Sequence, residues 1–143
     1  MKEEFVTYEQ ALALKELGFD EPCFTTYDHE GRLRNPFDYE RSEYEKTNVS
    51  YIEDSTQFLT NESLNSKSNF IIAPLKQQVF RWFRKNHGLY TDIFVDDNKT
   101  FGFMISYFVE EGRADTAITR HFETYEEAEH ACLDKLIEMA KNK

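Results

Sequence analysis

Apolar residues run through this chain in two rhythms, one at helical and one at strand spacing. Leu75, Val79, Trp82 and Phe83 fall at i, i+4, i+7 and i+8, the signature of one buried helical face. Pro74 at the first position and Gly88 past the end bound this predicted helix at about 74–87. Phe101, Phe103, Ile105, Tyr107 and Val109 then alternate with other residues, which predicts a long strand. Thr91, Ile93 and Val95 alternate before it, and a third strand is expected at about 115–121. The turns Asp96–Lys99 and Glu111–Arg113 join the three into a β-meander at about 89–121. A last helix is predicted at about 124–141. Tyr125, Ala128, Cys132, Leu136 and Met139 lie in its stripe, widened by Leu133, Ile137 and Ala140.

Polar punctuation supplies the rest. Thr7 and Gln10 have the spacing of a capping box ahead of Leu14, Leu17 and Gly18, so a helix is expected at about 8–17. Thr124 and Glu127 repeat that opening on the last helix. Cys23–Asp28 reads as a strand with a turn at 29–32, and Phe70–Ile72 as a short buried strand. The segment 35–69 has the weakest pattern. Within it, Val49–Ile52 suggests a brief strand, and the Asn- and Ser-rich 60–69 a loop. The expected fold class is α+β: one domain over 1–143, with an antiparallel sheet and the helices at about 8–17, 74–87 and 124–141 packed on one face.

Charge changes the picture more than composition does. The chain carries −10, with 7 basic against 15 acidic side chains in residues 1–70 and 10 against 12 in residues 71–143. Such a field repels phosphate backbones, which makes nucleic acid an unfavoured partner. An aromatic fraction of 15% argues for a packed core. The longest uncharged apolar run, Phe70–Leu75, is too short to cross a bilayer, and the acidic start Met1-Lys2-Glu3-Glu4-Phe5 is unlike a secretory leader. A cytoplasmic, non-membrane protein is expected, with Cys23 and Cys132 reduced and unpaired.

Candidate chemistry is sparse. Arg81, Arg84 and Lys85, with His87, lie on the 74–87 helix and would suit a phosphate or an acidic partner. Their plainer reading is a solvated face whose charges suit the helix dipole. Arg32 and Arg34 are candidates to join them. Glu129 falls inside the apolar stripe of the last helix. Buried, it would have a raised pKa of the kind found at functional sites. The plainer reading leaves it wet at the sheet edge. Cys132, mid-stripe, reads as a packed thiol. His29, His87, His121 and His130 share no metal-ligand spacing, and no phosphate loop or nucleophile elbow occurs. No catalytic residue, metal or cofactor is expected.

Two stretches carry a resemblance. Phe5–Phe24, with T-Y-E-Q-A-L-A-L-K-E-L-G-F-D-E-P-C, is the first. Ala73-Pro74, Phe80-Arg81-Trp82-Phe83-Arg84-Lys85 and Thr124–Ile137 form the second. Both resemble small proteins encoded by bacteriophages and mobile elements of gut anaerobic bacteria. The likeness covers roughly half the chain and departs from it over 28–69, which is longer and more acidic. It implies a phage or mobile-element origin and transfers no site residues. From Pro74 onward, helix, meander, helix is also similar in order to a double-stranded RNA-binding domain. That likeness would place phosphate-gripping lysines where Glu126 and Glu127 stand, which inverts the chemistry. The function expected is a non-enzymatic accessory role through a host or phage protein partner, engaged by the acidic residues 37–54, with self-association left open. Nucleic-acid or nucleotide binding by Arg81, Arg84 and Lys85 is the alternative.

Overall fold

Thr7 and Gln10 close the capping box that starts the first helix. The Thr7 hydroxyl accepts from the Gln10 amide at 3.2 Å, and the Gln10 side chain accepts from the Thr7 amide at 3.0 Å. In the computed structural model, which describes residues 2–34, 59–62, 64 and 70–143, this helix, α1, spans Tyr8–Glu16. Gly18 then takes a left-handed φ of 89° and ends it, where the sequence predicts. Two-residue strands follow: β1 (Thr26–Tyr27), β2 (Leu33–Arg34) and β3 (Ile71–Ile72). They form an antiparallel sheet in the order β2-β1-β3, and α1 packs on β3.

Strands this short need help from side chains. Asn61 supplies some of it, donating to the Phe19 carbonyl and accepting from the Ile72 amide, both at 3.1 Å. Cys23 and Leu59 exchange a pair of backbone hydrogen bonds at 2.7 Å. The expected strand at Cys23–Asp28 is therefore a bridge at Cys23 plus the brief β1. Asp28 organises the turn to β2. Its carboxylate accepts from the amides of Arg32 and Glu30 at 2.9 Å, and from Nε of Arg34 at 3.0 Å and of Arg32 at 3.1 Å. The suggested strand at 49–52, the acidic 37–54 and most of the suggested loop 60–69 lie outside the described residues.

Contacts divide the chain into two compact units, Thr7–Pro74 being one. The other joins Glu3–Val6 to Leu75–Lys143, with Phe5 bridging Leu75. Helix α2 spans Lys76–His87, two residues short of the predicted start. Leu75 explains the difference: its extended backbone, ψ 145°, belongs to the Phe5 bridge and serves as N-cap. The meander follows as β4 (Tyr90–Val95), β5 (Phe101–Glu110) and β6 (Arg113–Phe122), in that spatial order. Strand β6 exceeds its predicted length because Gly112, at φ 82°, turns tightly enough for Arg113 to pair with Glu110.

Helix α3 (Tyr125–Lys141) lies across β5 and touches β4 and β6. Its cap is half of the expected box. The Thr124 hydroxyl accepts from the Glu127 amide at 3.1 Å, but the Glu127 carboxylate accepts from the amide of Glu123 instead of Thr124. Such a cap is worth about 1 kcal/mol, and each buried Leu or Ile about 1.5–3 kcal/mol. The buried stripe of Ala128, Cys132, Leu133, Leu136, Ile137 and Ala140 therefore holds α3 in place. The fold is α+β, as the sequence predicts, with two three-stranded antiparallel sheets in place of the single one expected.

Burial alone would raise the pKa of Asp28. The Arg32 amide, the Arg34 guanidinium, the Glu30 amide and the Arg32 guanidinium outweigh it and hold the carboxyl far below its ordinary value. The unfolded chain therefore takes up this proton first as pH falls, and stability rises with pH through the window. Asp28→Asn is expected to unfold at lower urea than the parent at neutral pH. Below about 3.8, the ordinary value of the group, the gap between the two should narrow. An unchanged midpoint at neutral pH would show that this turn contributes nothing.

Candidate functional site

Strand β5 carries apolar side chains on both sides of its pleat. Phe103 and Ile105 are buried on the side that α3 covers. Alternation turns Gly102, Met104, Ser106 and Phe108 to the other side. Cross-strand partners share a side, so Phe94 (opposite Gly102), Tyr90 (opposite Ser106), Ile118 (opposite Met104) and Ala114 (opposite Phe108) join them. The result is a second face on the meander, with apolar Tyr90 44%, Phe108 71% and Ile118 48% exposed beside the polar Asp92 (opposite Met104) and Thr116 (opposite Ser106).

One end of this face is closed and the other open. At the closed end the Phe94 ring lies across Gly102. A Cβ there would sit 2.6 Å from Phe94 Cζ and 2.8 Å from the Thr119 carbonyl oxygen. The Arg120 guanidinium stacks 5.2 Å from the same ring and pairs with Asp96 at 3.3 Å. At the open end Tyr90 and Phe108 meet edge to face at 6.2 Å. They border a hollow of about 290 Å³ with Ser106, Tyr107 and Ala114. A second hollow, about 430 Å³, is lined by His87, Leu89, Tyr107, Lys135, Glu138 and Lys143 among others. Its cations are engaged: Lys135 pairs with Glu138 at 3.2 Å, and Lys143 donates to the His87 carbonyl at 2.6 Å.

Compared with known protein families, curated proteins and solved structures, the chain matches none.

The residues singled out by sequence do not assemble into one site. Arg81, Arg84 and Lys85 are exposed on α2 at i, i+3 and i+4, a single row. His87 leaves that row: its ring lies 4.8 Å from Trp82 and 5.6 Å from Phe83, and burial, then the Lys143 charge, lowers its pKa. Arg32 and Arg34 are held by Asp28. Glu129 is buried, 8% exposed, which overturns the plainer reading of a wet position. Lys76, also buried, explains how: its Nζ lies 3.7 Å from Glu129 Oε1, and the Gln77 side chain donates to Oε2 at 3.4 Å. Burial pushes the Glu129 carboxyl above its usual range, and the Lys76 charge offsets part of that. Lys76 was beyond sequence reasoning, because a lysine in a first helical turn ordinarily faces water.

Cys132 is a packed thiol. Burial, helped by the Glu129 charge, pushes it up to about 12, which leaves it protonated and unreactive at neutral pH. Among the described residues, no group of three or more His, Cys, Asp or Glu could hold a metal ion. Nor is any described helix long and apolar enough to cross a membrane.

Filling the space under Phe94 tests the closed end. Gly102→Ala forces the ring off its seat and presses on the Thr119 carbonyl, an overpacking worth about 1–3 kcal/mol. A matching drop in stability on urea unfolding is expected. Parent-like stability would mean that Phe94 does not lie over Gly102.

Proposed function

We propose that this chain is a non-catalytic accessory protein of a phage or mobile element, and that it acts by binding another protein through the second face of its meander. The observation that carries this reading is the exposure of Tyr90, Phe108 and Ile118 together on one rigid sheet. Large apolar side chains gathered on one face commonly mark a place where another molecule docks. Aromatic anchors on regular strands also lose little entropy on binding. The origin rests on the resemblance of Phe5–Phe24, Phe80–Lys85 and Thr124–Ile137 to small phage-encoded proteins. Tagged protein passed through bacterial host lysate should retain a stoichiometric partner at moderate salt. The double variant Phe108→Asp, Ile118→Asp should fold and lose it. Retention of nothing by the parent, or of the same partner by the variant, defeats the reading.

The exposed row Arg81, Arg84 and Lys85 favours a second reading, nucleic-acid or nucleotide binding. The net charge of −10 and the acidic opening of α3 at Glu126 and Glu127 oppose it. No gel shift at low salt is expected on the favoured reading. A shift abolished by charge reversal at the three sites would replace it with the second.

A further inference from the structure

The open end of the second face holds a seat for one side chain. Tyr90 and Phe108 wall the hollow of about 290 Å³, their rings edge to face at 6.2 Å. Ser106 and Ala114, small residues on the adjacent strands β5 and β6, leave room between them. Pockets for small-molecule ligands run from roughly 300 to 1,000 Å³. A hollow at the foot of that range suits a single large side chain better than a whole ligand.

The lining selects the kind of side chain. Aromatic walls favour an aromatic guest, because rings gain from edge-to-face and offset contacts beyond the area they bury. Among the described residues, no hydrogen bond engages the Ser106 hydroxyl, which can accept from an indole N–H. Tryptophan brings both the ring and that donor, and it is enriched among the residues that dominate binding energy.

Charge selects what stands beside it. Between Tyr90 and Arg120 the second face carries two charged side chains, Asp92 and Arg120 itself. Arg120 is paired with Asp96 at 3.3 Å and stacked on Phe94. Asp92 is exposed, and among the described residues no hydrogen bond or ion pair engages it. It stands two positions from Tyr90 on the same side of β4, about 7 Å along the strand. A carboxylate without a counter-ion thus borders the hollow, on a chain of −10. A cation next to the guest ring complements it.

We infer that this hollow receives a tryptophan side chain of the protein partner, with a lysine or arginine of the same segment drawn to Asp92. The inference rests on the protein-binding reading of the second face and names its anchor. Tryptamine, a cationic indole, is the probe, and indole-3-acetate, the same ring with an anionic tail, is its control. In amide NMR titrations at physiological salt, millimolar tryptamine should shift the signals of Tyr90, Ser106, Phe108 and Ala114 together. Indole-3-acetate should bind more weakly by up to about fivefold, the range of an exposed ion pair. Asp92→Asn should close that gap. Ala114→Phe, a strand-forming residue at an exposed position, fills the hollow and should remove the response to both probes. Circular dichroism confirms that each variant is folded. Shifts confined to other residues, equal binding of the two probes by the parent, or an unchanged response in Ala114→Phe would overturn the inference. A lysate partner that Ala114→Phe still retains also overturns it and leaves the protein-binding reading standing. Capture of no partner by the parent defeats both, so the two failures are told apart.

Discussion

A pleated strand has two sides, and α3 covers only one side of β5. Burying Phe103 and Ile105 under that helix fixes the register of the meander, since a slip of one residue would exchange the sides. Once that register is set, Met104 and Phe108 have no choice of side. The pairings then bring Tyr90, Phe94, Ala114 and Ile118 to the same place. The apolar second face is thus a geometric consequence of the core. Its partial closure by Phe94 over Gly102 and by Arg120 over Phe94 shields apolar area that the helices cannot reach.

The buried Lys76–Glu129 pair bears on the same unit. Removing two charges from water is expensive, and a contact of 3.7 Å recovers only part of that. Packed apolar residues of similar size would serve stability at least as well. What a paired lysine and carboxylate add is a penalty for any other packing of α2 on α3, because a wrong packing leaves both charges buried alone. The direction of the Glu129 shift, upward by burial against the pull of Lys76, fits a pair that is tolerated rather than strongly stabilising.

Much of the fold was legible because the physics was local. Thr7 with Gln10, Gly18 and Gly88 mark helix ends through backbone groups a few residues away, and the observed ends fall at or near them. The stripe of α3 and the odd positions of β5 were readable because burial is periodic. What failed depended on distant partners. Leu75 leaves the helix for Phe5, seventy positions away, and Glu129 is dry because Lys76 reaches it from another helix. The second sheet rests on β3 pairing with β1 across more than forty residues, and no local spacing reveals that. The second face was half visible: aromatic Phe94 and Phe108 and apolar Met104 stand where simple alternation asks for polar residues. Reading that departure as a surface would have found it.

The net charge bears on the second face as well. An acidic protein can carry exposed Phe108, Ile118 and Tyr90 without general aggregation, because its like-charged copies repel over a Debye length of about 8 Å at physiological salt. That repulsion is weakest where the local charge is positive, as along the exposed row Arg81, Arg84 and Lys85 of α2, a helix without an acidic residue.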